Sequence, residues 1–154
     1  MLKSMLFFAV AFGFAACNNQ QTKEPSETAQ PANAVESTAT AEELLNKEWK
    51  LVKLNGSGIA LDTSFPNYPH LKFTNLVSTG GNLGCNGFGA NVHISAADSI
   101  KISEIISTQM ACPNLDIETQ FMKALGNART YKITGDTLAL NDDKRETIAL
   151  FKKQ

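Results

Sequence analysis

The sequence predicts a small α+β domain in which an antiparallel sheet curls over one main helix, on the end of a separate, non-globular leader. Three observations carry this. Short apolar–polar alternations punctuated by turn residues recur from Trp49 to Phe151, a single stretch after Pro113 changes to helical period, and the first 41 residues have a wholly different composition.

The leader opens with Lys3 and then an apolar run from Met5 to Ala16, closed by the small residues Ala15 and Ala16 before Cys17. About 12 apolar residues fall short of the roughly 20 that span a bilayer, so residues 1–16 read as an export signal. Phe14-Ala15-Ala16-Cys17 resembles a lipobox, at which bacterial lipoproteins are diacylated on the cysteine and then cleaved. Cys17 is therefore the expected lipidation site, carrying diacyl and palmitate-type chains, and two chains suffice for stable anchoring. Asn18 and Asn19 follow where an inner-membrane retention signal would carry Asp, so the expected address is the outer membrane with the domain facing the periplasm. From there to Ala41 the chain is built mainly from Asn, Gln, Thr, Ser, Glu, Pro and Ala, with Val35 the only larger aliphatic and no aromatic residue. Such a segment cannot bury enough apolar surface to order itself. Residues 17–41 thus read as lipidated cysteine and tether, with a reach of about 25–30 Å.

Residues 42–154 are expected to form one domain. Thr40 and Glu43 have capping-box spacing before Leu44 and Leu45, which predicts a short helical turn. A strand through Trp49–Leu54 stops at Asn55-Gly56. Leu71 and Phe73 flank Lys72 in a second strand. Phe88, Ala90, Val92 and Ile94 alternate with Gly89, Asn91 and His93 in a third, and Ile100 and Ile102 alternate in the next. Ile117, Phe121 and Leu125 recur every four residues, with Asn114 as N-cap, Asp116 and Glu118 in the first turn and Gly126 as the stop. Tyr131 and Ile133, the Gly135-Asp136 turn, Leu138 and Leu140 read as a hairpin, and Ile148–Phe151 as a last strand.

Net charge is −1 and no Lys/Arg stripe is visible along the chain, which argues against nucleic acid as a partner. Beyond Cys17 there are two cysteines, Cys85 and Cys112, in what reads as an oxidising compartment. A disulfide between them is expected, worth about 3–4 kcal/mol by loop closure. Two reduced buried cysteines or a redox pair are the alternatives.

Gly84-Cys85-Asn86-Gly87-Phe88-Gly89, then Thr108-Gln109-Met110-Ala111-Cys112-Pro113, then Glu118 and Phe121 on a helix resemble the META domain, the HslJ-like family of bacterial envelope proteins. Trp49-Lys50-Leu51, Leu71-Lys72-Phe73 and Gly135-Asp136-Thr137-Leu138-Ala139-Leu140 fall where the family has its landmarks. The family motif thus maps here to Gly84, Cys85, Asn86, Phe88, Gly89, Thr108, Met110, Ala111 and Cys112. Where many members carry a Tyr, this chain has Ala90, Asn91 and Val92. The resemblance implies an incomplete antiparallel barrel around a helix, found in envelope lipoproteins tied to heat shock, antibiotic tolerance or motility, with no accepted catalysis. It also implies likeness to pilotin lipoproteins, whose cracked barrel can hold an acyl chain.

The residues themselves offer little for catalysis. Gly80, Gly81, Gly84, Gly87 and Gly89 lack the Gly-Lys-Ser/Thr of a phosphate loop and read as positive-φ or close-approach positions. Asn86 reads as a turn residue bonding its own backbone, and Thr108 as a strand-end hydrogen-bonder. His70 and His93 lie far apart, and Asn141-Asp142-Asp143 with Glu146 reads as a charged hairpin turn, so no metal or cofactor is expected. No nucleophile elbow or convergent acid pair is present. The expectation is a monomeric, non-catalytic module that meets the membrane through its lipid and binds an envelope protein. The alternative is an apolar ligand held among Phe73, Phe88, Met110, Ile117, Phe121, Met122 and Leu125.

Overall fold

The computed structural model describes residues 40–154; the expected signal, Cys17 and the tether up to Ala39 lie outside the described residues. A short 3-10 turn (Ala41–Leu44) leads into strands β1 (Glu48–Leu54), β2 (Ser57–Gly58), β3 (His70–Phe73), β4 (Ser78–Asn82), β5 (Gly87–Ile94) and β6 (Ile100–Ser107). Helix α1 (Leu115–Asn127) follows, then β7 (Thr130–Thr134), β8 (Thr137–Asn141) and β9 (Thr147–Lys153). The sheet runs β6-β5-β4-β3-β1-β9-β8-β7, with β2 attached to β1, and every pairing is antiparallel.

The two ends of this sheet touch at one point. Ser99 bridges Thr130, Ile100 N donates to the Arg129 carbonyl at 2.9 Å, and Tyr131 N donates to the Asp98 carbonyl at 2.8 Å. Helix α1 packs chiefly on β6 and reaches β9 and β1, so the expected incomplete barrel is a sheet closed at one corner and plugged by a helix.

Alternation along each strand decides which side chains meet inside. Trp49, Leu51, Leu71, Phe73, Ile100, Leu138, Leu140 and Phe151 are fully buried, and α1 contributes Phe121 and Leu125. Phe121 lies between Phe88 (ring centroids 6.2 Å apart, edge-on) and Phe151 (5.7 Å). Full burial of each such side chain stabilises by about 1.5–3 kcal/mol. Leu44 is buried and accepts the Trp49 indole N–H on its carbonyl at 3.1 Å, while Leu45 bridges Phe73, which seats the 3-10 turn on the β1/β3 end of the sheet.

Local details depart from the sequence reading at the caps. The helical turn forms, but Thr40 makes no side-chain capping bond. Asn114 occupies the N-cap of α1 without capping it, because its side chain is engaged elsewhere, and the helix runs past Gly126 to Asn127, ending at Ala128 in extended conformation. Strand β4, like the two-residue β2, is missed by alternation: in Ser78-Thr79-Gly80-Gly81-Asn82 only the small polar Thr79 is buried. Gly81 is required there, since a Cβ would stand 2.1 Å from the His70 carbonyl oxygen of β3. Asn55 and Gly56 both adopt positive φ, as a tight hairpin turn into β2 demands.

Candidate functional site

The two motif loops meet at the helix end of the barrel. Cys85 and Cys112 form a disulfide with Cα atoms 6.0 Å apart. Beside it Asn86, 1% exposed, does not bond its own backbone as expected. Its amide Nδ2 donates to both Glu118 oxygens at 3.0 Å and to the Met110 carbonyl at 3.1 Å, and its backbone N donates to Glu118 Oε2 at 2.9 Å. Its Oδ1 accepts from the Met110 N–H at 2.7 Å and the Thr108 hydroxyl at 2.9 Å. One side chain thus ties β5, the loop after β6 and α1 together.

Sequence reasoning missed this role for Asn86 and Glu118, although a signal existed. Glu118 lies three residues before Phe121, on the inward stripe of α1, where an acid must find buried partners. Asn114, also buried, accepts the Asp62 N–H at 2.9 Å and donates to the Gly84 carbonyl at 3.5 Å, so the long loop before β3 joins the same knot. Gly84 holds φ +111, and Asn82 Oδ1 accepts its N–H at 2.7 Å.

The other motif positions divide by depth. Phe88 faces the core; Gly89 lies on the outer face of β5 with open space around it; Met110 and Ala111 are exposed. Of the residues expected to line an apolar pocket, Phe73, Phe121 and Leu125 are fully buried core, and Ile117 and Met122 pack half-buried against it. Phe88 alone of the seven borders the open depression of about 460 Å³ formed with Gly81, Gly87, Gly89, Ile106, Ser107 and Thr108. Ile106, Met110 and Leu115 are exposed apolar side chains, with Ile106 in the wall of that depression.

His93 is exposed, and Asp142 Oδ1 accepts the backbone N–H groups of Lys144 and Glu146, making the expected charged turn. Among the described residues no group of three or more His, Cys, Asp or Glu is placed to hold a metal, and no helix is long and apolar enough to cross a membrane. Every polar group of Asn86 is spent inside the domain. The arrangement holds loops; it presents no nucleophile paired with a base.

The META domain family model matches residues 42–154. No curated protein matches the sequence. Among solved structures the chain is similar to one protein determined by NMR, with 21% identity and TM-score 0.58 over 74% of this chain and 94% of that one. It is also similar to an NMR structure of a protein from Burkholderia xenovorans (19% identity, TM-score 0.60, 85% of this chain and 99% of that one). A third is a DUF4847 family protein from Bacteroides vulgatus (15% identity, TM-score 0.54, 72% and 95%). At such identities the likeness is one of fold.

Proposed function

The chain belongs to the META domain family, and on that premise we propose that it is a lipid-anchored envelope lipoprotein whose domain acts by binding a protein partner, without catalysis. The observation that carries the binding reading is the spending of the motif's polar groups inside the fold, with Ile106, Met110 and Leu115 left exposed. Chemistry needs a reactive group open to substrate, whereas exposed apolar side chains favour contact with another surface. The N-terminal pattern ending at Cys17 supports the anchor, and the polar tether supports lateral reach. In this reading Cys17 is lipidated, the domain stands in the periplasm at the outer membrane, and its role is envelope integrity or tolerance of heat or antibiotic stress.

Cys17→Ser should move the protein from the membrane to the soluble periplasmic fraction and abolish incorporation of labelled palmitate; retention in membranes would sink the anchor. Native mass spectrometry with lipid extraction on residues 42–154 tests the binding mode. A bare mass, with crosslinks to an envelope protein in cells, is expected. A stoichiometric apolar adduct would make the domain a hydrophobe carrier instead.

A further inference from the structure

We infer that the outer face of β3, β1 and β9 is a docking surface for an anionic lipid bilayer. The lysines concerned are scattered in sequence at 50, 53, 72 and 152, but the registers bring them together. Lys50 stands directly opposite His70 of β3 and Lys152 of β9, and Lys53 opposite Leu150 of β9. Lys72 lies two residues from His70 on the same face. Trp49, Leu51 and Leu54 of β1, Leu71 and Phe73 of β3, and Ala149 and Phe151 of β9 fill the interior, so Lys50, Lys72 and Lys152 point outward by parity, and the bulge between Leu51 and Lys53 turns Lys53 outward as well.

Like charges placed directly opposite across a strand pair are destabilising, and this face carries a Lys–Lys pair at its centre. None of the four lysines is ion-paired among the described residues. The one acid on this part of the face is Glu48, opposite Lys72, and its carboxylate accepts the Tyr68 hydroxyl at 2.6 Å. Tyr68 in turn lies under the Lys50 ammonium, 4.4 Å from ring centroid to Nζ. Ile148 and Leu150 supply half-buried apolar contact between the charges.

The whole chain has a net charge of −1, so this is segregation rather than excess of charge. Most acids lie elsewhere: Glu42 and Glu43 on the 3-10 turn, Glu104 on β6, Asp116 and Glu118 on α1, and Asp62, Asp98, Asp142, Asp143 and Glu146 in loops, while Asp136 in the β7–β8 turn pairs with Lys153 at the end of β9. A one-sided basic face with an aromatic residue and aliphatic side chains among its lysines complements a sheet of anionic headgroups. The anchoring reading enters only in the choice of a bilayer as the polyanion at hand. Docked in this way, the domain would lie on the membrane by the outer face of its sheet, with α1 on the inner side of β1 and β9.

The test uses residues 36–154, a compact unit that contains the whole core cluster and the disulfide and so folds on its own. Co-sedimentation with phosphatidylcholine vesicles containing about 30% phosphatidylglycerol is compared with pure phosphatidylcholine at low and high salt. Binding is expected on the anionic vesicles alone and should fall as salt rises. The triple variant Lys50→Gln/Lys53→Gln/Lys152→Gln should lower the partition coefficient by about fivefold per charge, on the order of 100-fold in all. Lys101→Gln/Lys123→Gln/Lys144→Gln, which removes the same charge elsewhere, should leave it within about threefold. Circular dichroism and urea midpoints confirm that both variants are folded. Equal binding to neutral vesicles, equal loss in the two triples, or tighter binding to duplex DNA than to the anionic vesicles at the same salt would each overturn the inference.

Discussion

Replacing Asn86 by Asp would set a second carboxylate against Glu118, whose oxygens already accept the Asn86 amide at 3.0 Å and its backbone N–H at 2.9 Å. The domain should lose at least about 3 kcal/mol in urea unfolding, more than Asn86→Ala, because a removed partner leaves the remaining charge buried while an added charge repels it. A milder loss for the Asp variant than for the Ala variant would show the knot to be solvated and unimportant. Tyr131 presents the opposite case: its ring is 2% exposed and its hydroxyl has no hydrogen-bond partner among the described residues. Tyr131→Phe should therefore be neutral or stabilising by about 1 kcal/mol at neutral pH. Burial raises the Tyr131 pKa above its ordinary value, with the charges of Glu42, Asp98 and Glu43 adding to it. The folded state thus holds the phenolic proton more tightly than the unfolded chain. That contribution is complete below the unfolded value and is lost as pH rises through the folded one. The stability gap in favour of Tyr131→Phe should widen in urea melts above about pH 10, and a gap that narrows there would refute the assignment.

Between elements, glycine decides whether β3, β4 and β5 can approach. Gly81→Ala would put a Cβ 2.1 Å from the His70 carbonyl oxygen, and the β3–β4 ladder cannot yield that distance without breaking. A loss of about 3 kcal/mol or more is expected in thermal unfolding. Gly89→Ala, with nothing within 4 Å of the new Cβ, should change stability by no more than about 0.5 kcal/mol. Similar costs at the two positions would mean that β4 is not paired as described. The glycine cluster was legible as backbone-constrained, but its strand was not, since two adjacent glycines leave no alternation to detect.

At the scale of the molecule, the disulfide and the Asn86 knot fasten the same two loops by independent means. Cys85→Ala/Cys112→Ala should lose about 3–4 kcal/mol, from a loop whose ends are 27 residues apart, while keeping its strand circular dichroism. Asn86 still holds Met110 at both its N–H and its carbonyl in that variant. Thiol titration of the denatured, unreduced parent should find none of the free thiol that two reduced cysteines would show. Collapse of the fold in the double variant would place the fastening in the disulfide alone.

Much of this protein follows from its sequence, because parity and period are local properties. The alternation through Trp49–Leu51, Phe88–Val92 and Leu138–Leu140, and the four-residue spacing of Ile117, Phe121 and Leu125, fix which side of each element is buried. The motif strings fix the family. Cap details, β4, the partners of Asn86 and Glu118, and the lysine face were decided only in three dimensions. Each depends on residues far apart in the chain: Asn86 and Glu118 are 32 positions apart, and Lys50 meets Lys152 through strand register. Local spacing carries no information about which loop supplies a buried carboxylate with its donors, or which strand sets one charge beside another. Those are properties of the closed sheet, since its pairing order brings the first strand of the barrel against the last.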